Sequence, residues 1–252
     1  MSRVALVREP TDDLADGIVT HIERRPVDVD LARSQHAAYC EALKGAGWQL
    51  EYVEPAPGLP DAVFVEDTVV VVGSTAVITR SGAPERRPET KGTERVVRDL
   101  GLDVTRLGGE ATLDGGDVLQ VGSTVYVGRG GRTNAEGIRQ LREVVQPLGR
   151  VVVPVRLRNV LHLKSAATAL PDGTLLALPE LVEDGVFPTW RPIAEEEGCH
   201  VVVLGQDEVL ISASAPRTAE SLADLGFGVR VVDVSEFEKL EGCVTCLSVL
   251  VS

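Results

Sequence analysis

The chain has 252 residues, 44% of them hydrophobic and only 4% aromatic, so Val, Leu and Ala must fill its core. A formal net charge of −13, from 38 acidic against 25 basic residues, argues against nucleic acid, because phosphate binding draws on clustered Lys and Arg. No apolar run approaches the ~20 residues that span a bilayer, residues 1–6 lack a signal peptide's apolar region, and four cysteines do not make a disulfide framework; a cytoplasmic protein without membrane contact is expected.

The length suits one domain over residues 1–252, either a large ordinary core or one built from repeats. In chain order, the first helical pattern covers 30–46, where Leu31, Ala38, Ala42 and Leu43 recur at helical spacing, and a strand follows at 50–53. Val72-Gly73-Ser74-Thr75 then separates apolar runs 63–72 and 76–79, a hairpin signal. A helix at 89–100 and a strand at 103–106 follow. Val121-Gly122-Ser123-Thr124 repeats the turn 49 residues after the first. Behind it come a helix over 134–147, with Asn134 as N-cap, and a strand at 151–155. Pro171-Asp172-Gly173-Thr174 marks a third hairpin, Gln206-Asp207-Glu208 a fourth, and helix 216–225 and strand 229–232 close the series. The unit is β-hairpin, helix, strand. It recurs about five times if an incomplete set is wrapped between the chain ends, and a ~50-residue period means each unit buries its face against its neighbours. An ordinary mixed α/β sandwich with similar turns is the competing reading.

Four places could carry chemistry. Asp61-Ala62-Val63-Phe64-Val65-Glu66-Asp67 sets adjacent carboxylates in an apolar, strand-like stretch, at a cost unless a cation or a functional bend compensates. Leu113-Asp114-Gly115-Gly116-Asp117 repeats the theme, with paired glycines that permit positive φ beside Asp114. Solvated hairpin carboxylates would explain both equally well. His162, between Leu161 and Leu163, projects alone if the segment is extended; it is either a satisfied polar group or a proton carrier near neutral pH.

The fourth place is Cys243-Val244-Thr245-Cys246. A thioredoxin-type pair needs a following helix, which Leu247-Ser248-Val249-Leu250-Val251 does not favour. A zinc site needs two more ligands, and only Cys199-His200 offers itself, at poor spacing. No metal or other cofactor is expected. Both thiols could simply pack, as Cys40 should on its helix. In a regular strand they would face opposite sides, so at most one would line a given pocket. Taken together, these groups suit attack on a guanidinium: carboxylates to hold the plane, a thiolate, and an acid for the departing amine.

On these motifs, with Ile78-Thr79-Arg80-Ser81-Gly82-Ala83-Pro84-Glu85-Arg86-Arg87, Arg132-Thr133-Asn134 and Leu240-Glu241-Gly242 in the same order, the chain resembles the dimethylarginine dimethylaminohydrolases of the guanidino-group-modifying (pentein) superfamily. The resemblance implies an α/β propeller with five-fold pseudosymmetry, built of ββαβ units. It implies Cys246 as nucleophile, His162 as general acid and base, and Asp114 as the carboxylate behind His162. Asp67 would bind the guanidinium with Glu66 beside it, Arg86 and Arg132 the substrate's α-carboxylate, and Asp61, with backbone near Val19 and Leu240, its α-amino group. The implied partner is a small methylarginine, with a homodimer left open. Arginine deiminases carry His-x-Asp where this chain has Lys164, so their second carboxylate grip is missing, which suits bulkier methylated nitrogens with fewer donors. A hydrolase of another guanidino compound, a non-catalytic binder of arginine-like cations and a thiol-redox protein using Cys243 are the alternatives.

Overall fold

The computed structural model describes residues 3–252 and resolves them into five three-stranded sheets. The second blade shows the pattern. Strands β3 (Val69–Val72) and β4 (Thr75–Ile78) form the antiparallel hairpin, with Gly73 at φ +59° in its tight turn. Helix α2 (Thr90–Asp99) then carries the chain back so that β5 (Asp103–Arg106) pairs parallel with β4. The third blade repeats this with β6 (Val118–Val121), β7 (Thr124–Arg129), α3 (Ala135–Val145) and β8 (Val151–Arg156). Asn134 caps α3 as expected, its side chain accepting from the Gly137 N–H at 2.8 Å.

The fourth blade departs from the unit. Strands β9 (Ala167–Ala169), β10 (Leu175–Ala177) and β11 (Trp190–Pro192) keep the pairing, but no helix joins β10 to β11. Residues 178–189 make that crossover as turns, which is why the sequence shows no helical period there. The fifth blade is regular again: β12 (Val201–Val203), β13 (Glu208–Ser212), α4 (Pro216–Asp224) and β14 (Gly228–Val232).

The first blade closes the ring from both chain ends. Strand β1 (Val4–Arg8) pairs parallel with β2 (Gln49–Val53) across α1 (Val29–Gly45), and antiparallel with β15 (Val249–Val251). Helix α1 buries Ala32, Tyr39, Cys40 and Leu43, whereas Leu31 and Ala38 face solvent. The buried stripe is thus turned from the face expected, because Tyr39 offers far more area to the core than Ala38. Cys40 packs as anticipated. Short α5 (Ser235–Glu238) leads into the last turn. Among the described residues, no helix is long and apolar enough to cross a membrane.

One regularity positions everything that follows. The first strand of every blade (β15, β3, β6, β9 and β12) lines an axial cavity of about 420 Å³. The chain enters each of these strands through a tight turn or 3-10 segment: 243–248, 65–68, 115–117, 163–165 and 196–199. Stretch 61–68 is therefore not strand but two 3-10 segments, Pro60–Val63 and Val65–Thr68. Its apolar residues are buried because it lies at the axis, surrounded by other blades, and not because one face of a strand is covered.

Leu6 is fully buried at the centre of the closing blade, paired with Glu51 and Val249. Leu6→Ala should lower unfolding free energy by about 2–5 kcal/mol in urea titration. Val151→Ala, at a position 60% exposed, should stay within about 0.5 kcal/mol of the parent.

Candidate active site

The entry turns are stitched to one another by single hydrogen bonds. The Glu66 N–H donates to the Cys246 carbonyl at 3.2 Å. Gly116 N–H donates to Asp67 Oδ1 at 2.9 Å, and Leu163 N–H to Asp117 Oδ1, also at 2.9 Å. His200 Nε2 meets the Ser165 carbonyl at 3.0 Å. Cys246, Asp67, Asp114, His162 and Cys199-His200 thus lie at or beside successive entry turns, and Asp67 and Asp117 make the same contact one repeat apart.

Asp67, Asp114 and His162 meet at the axis, all buried. His162 Nε2 lies 3.1 Å from Asp114 Oδ2, and Nδ1 lies 3.8 Å from Asp67 Oδ1. Burial alone would depress the imidazole, but Asp67, Asp114 and Asp117 outweigh it and raise the pKa to about 9. His162 is therefore a cation at neutral pH. Asp67 answers it: burial works against its charge, yet His162, Arg86 and the Gly116 N–H hold its pKa well below the usual carboxylate range. A metal ion could use this three-residue spacing, but both carboxylates already accept from arginines and backbone amides.

Glycines let these groups approach. A Cβ on Gly116 would stand 2.8 Å from both Asp67 Oδ1 and His162 Nδ1, and one on Gly115 would overlap the Glu66 carbonyl at 2.0 Å. Gly82, whose N–H donates to Asp114 Oδ1 at 3.1 Å, lies as close to the Arg132 backbone. Neither Gly115 nor Gly116 has positive φ. The pair is needed for close packing: the chain turns here, through the 3-10 segment Gly115–Asp117, but without the positive φ that glycine permits.

Arg86 is buried and heavily engaged. Its Nε and Nη2 grip Glu89 at 3.0 and 2.9 Å, Nη1 holds Asp67 Oδ2 at 2.7 Å, and Nη2 also reaches the Asp61 carbonyl at 3.2 Å. Of five N–H donors, one on Nη1 is left over. Arg132 is freer: its side-chain bond among the described residues is to Asp114 Oδ2, at 3.4 Å. Asp61 accepts the Ile18 N–H on both oxygens, at 3.1 and 3.2 Å, and burial raises its pKa. Gly17 seats the loop carrying Val19 against it, since a Cβ there would meet Asp61 Oδ1 at 3.0 Å and Leu240 Cδ2 at 3.3 Å. Glu66 is tied to Lys164 at 2.6 Å through one oxygen, while the other is buried without a partner. Burial raises its pKa to about 7, against the pull of Lys164.

Residues 243–248 form a turn, not a strand, and this brings together two sulfurs expected on opposite faces: Cys243 Sγ and Cys246 Sγ are 3.4 Å apart. The Cys246 thiol is pushed up by its hydrogen bond with Cys243, by burial and by the charges of Glu66 and Asp67. A cleft of about 740 Å³ opens at one end of the axis, between 21–25, 159–161 and 194–200, and reaches Glu241 and Gly242. Cys246, His162 and Asp114 lie buried between this cleft and the axial cavity and line neither. Over the cleft, loop 17–25 is pinned by Glu241, which accepts from the Thr20 N–H at 2.8 Å and from the His21 N–H.

Two contributors were missed in the sequence. Asp117 accepts from Thr133 Oγ1 at 2.5 Å as well as from Leu163 N–H, fixing the turn that bears His162. Its place in the Leu-Asp-Gly-Gly-Asp run was a usable signal. Glu89, three residues beyond Arg86, had none, because an acidic residue at a helix start is ordinary surface chemistry.

The family model for arginine deiminase matches residues 50–208. A dimethylarginine dimethylaminohydrolase of Streptomyces coelicolor is 56% identical over 249 residues, covering 98% of this chain and 96% of that protein. A crystal structure of a dimethylarginine dimethylaminohydrolase variant in adduct with S-methyl-L-thiocitrulline superposes with TM-score 0.93 at 35% identity, covering 99% and 100% of the two chains. A Pseudomonas aeruginosa variant complexed with citrulline gives TM-score 0.91, also at 35% identity, over 99% of each chain.

The His162 assignment has a measurable consequence. Its folded pKa lies above the ordinary 6.5, at about 9, so the stability it contributes is complete below about pH 6.5 and is lost as pH rises through about 9. In NMR titration the His162 ring protons should move near pH 9, and Asp67→Asn should bring that transition down. A native-state transition at or below 6.5 would contradict the buried carboxylate array.

Proposed function

The chain belongs to the dimethylarginine dimethylaminohydrolase branch of the arginine deiminase family, hydrolases acting on amidino groups, and from that premise we propose that it converts Nω-methylated L-arginines, asymmetric dimethyl- and monomethylarginine, to L-citrulline and di- or monomethylamine. The observation carrying this reading is the buried cluster of Asp67, Asp114 and His162, joined through Glu66 to the backbone of Cys246.

In this reading Asp67 holds the substrate's guanidinium with Glu66 beside it. Arg132 takes the α-carboxylate together with the one Nη1 hydrogen that Arg86 leaves over, and Asp61, near the backbone of Val19 and Leu240, receives the α-amino group. Cys246 rests as a thiol, because its hydrogen bond with Cys243 holds the proton, burial disfavours the anion, and Cys243, Glu66 and Asp67 oppose another negative charge nearby. The entering guanidinium neutralises that repulsion, and the thiol gives its proton to solvent. The thiolate attacks the guanidinium carbon, and His162, already protonated, delivers its proton to the departing amine. A covalent thiouronium remains on Cys246. Neutral His162 then takes a proton from the attacking water, and collapse of the adduct expels the thiolate and releases citrulline. Lys164 supports the preference for methylated nitrogens twice over: it is not a carboxylate, and it holds one oxygen of Glu66.

Acid quenching of a mixture with asymmetric dimethylarginine, followed by intact-protein mass spectrometry, tests the scheme. An adduct should map to Cys246, with dimethylamine and citrulline in solution, and Cys246→Ser should show neither adduct nor turnover. Ammonia from unmodified arginine as the main product, or an active Cys246→Ser, would overturn it. Arg132→Ala should raise KM about tenfold or more with a smaller change in kcat, since a carboxylate contact kept throughout the reaction is uniform binding. Equal losses in both parameters would count against that role.

A further inference from the structure

The last entry turn holds a second thiol that the hydrolysis does not use. Cys243 is 2% exposed and Cys246 6%. Besides the 3.4 Å contact between their sulfurs, the Cys246 N–H donates to the Cys243 carbonyl at 3.1 Å. That i→i+3 bond closes a turn whose Cα atoms stand within about 7 Å of each other, in reach of the 4.4–6.8 Å that a disulfide usually spans. Joining the sulfurs at about 2.0 Å needs only side-chain rotation and small backbone adjustment within one turn.

The surroundings favour an anionic sulfur at Cys243. His200, on the fifth blade's entry turn, has Nε2 against the Ser165 carbonyl and Nδ1 against Glu197 Oε2, each at 3.0 Å. A carbonyl and a carboxylate both only accept, so both ring nitrogens carry hydrogen and the buried ring is an imidazolium. Hydrogen bonds from Cys246 and from Thr245 Oγ1, the latter at 3.2 Å, together with the charge of His200, lower the Cys243 thiol to about 5 against the effect of burial. Neither the guanidinium chemistry nor the packing of the turn requires a charged sulfur there.

We propose that Cys243 and Cys246 form a reversible modification site, in which a peroxide converts the catalytic sulfur to a sulfenic acid and Cys243 captures it as an intramolecular disulfide. This rests on Cys246 as nucleophile and goes beyond it. Across the 3.4 Å contact Cys246 passes its proton to Cys243, and the resulting Cys246 thiolate attacks a peroxide oxygen; the O–O bond breaks, leaving a sulfenic acid and hydroxide. The Cys243 thiolate then attacks the Cys246 sulfur and expels a second hydroxide. The one proton held by the pair and one taken from solvent turn both hydroxides into water, so the two sulfurs lose two electrons and one peroxide is reduced. The cleft reaches Gly242, so the dithiol turn begins one residue from space open to a small peroxide. Capture protects the nucleophile, since sulfenic acid left alone advances to sulfinic acid, which thiols do not reverse. The pair is thus a shield for the nucleophile and not a redox catalyst.

The experiment treats the purified chain with hydrogen peroxide, blocks free thiols, and maps peptides, while activity is followed before and after dithiothreitol. The peptide bearing both cysteines should lose two hydrogen masses and escape alkylation, and dithiothreitol should restore most of the lost activity. Cys243→Ala and Cys243→Ser, each scored against its own untreated rate, should lose activity that dithiothreitol does not restore and carry sulfinic acid on Cys246. Sulfinic acid on Cys246 beside an alkylated Cys243 in the parent would refute the proposal. So would full recovery of both variants. The mapping reads the linkage whether or not methylarginine is turned over, so failure of the disulfide and failure of the proposed hydrolysis are separable.

Discussion

Everything at the centre of this molecule depends on one constraint: the blade entries are buried together at the axis, and donors on one entry are satisfied by atoms of the next. Each bond between entries reaches an atom of a neighbouring blade, as Gly116 N–H does with Asp67 and Leu163 N–H with Asp117. An unpaired backbone donor in such a place costs about 1–3 kcal/mol. The bonds that hold the ring together therefore also orient the carboxylates. Structure and chemistry share the same atoms.

That sharing explains how so many charged groups can be buried in a small volume. Isolated, each would titrate to its neutral form. Here Asp67 lies between Arg86 and His162, and Asp114 between His162 and Arg132, so each charge has a partner of opposite sign. Glu66 has weaker support, with one oxygen unpartnered, and is the member that burial carries up to about 7. In the proposed reaction, an arriving guanidinium would find the Glu66 oxygen that is left without a partner.

The pseudosymmetry also accounts for the dithiol. Five equivalent entries face the axis, and the proposed hydrolysis draws on four of them. The fifth contributes Cys199 and His200, and the His200 imidazolium acts on Cys243 rather than on the substrate. A repeat architecture supplies a position whether or not the reaction needs it, and a spare position near a reactive sulfur can acquire a separate role.

The sequence by itself determined the repeat, because strand alternation, helical period and turn chemistry are local properties. Val72-Gly73-Ser74-Thr75 and Val121-Gly122-Ser123-Thr124 mark hairpins wherever they are placed, and Asn134 caps its helix using atoms within one turn. The motifs of the site were legible for the same reason, as short runs of unusual residues. Only the tertiary structure decided what those runs do. The 61–68 stretch reads as strand because its residues are apolar, yet it coils into 3-10 turns at an axis that exists only after five blades assemble. Gly115 and Gly116 read as a sharp turn, but what they supply is room for Glu66, Asp67 and His162, which lie far away along the chain. The missing fourth helix, the saturation of Arg86 by Glu89 and the meeting of Cys243 with Cys246 share that origin. Each is a relation between distant segments, or a local geometry imposed by them, and neither periodicity nor composition records such relations.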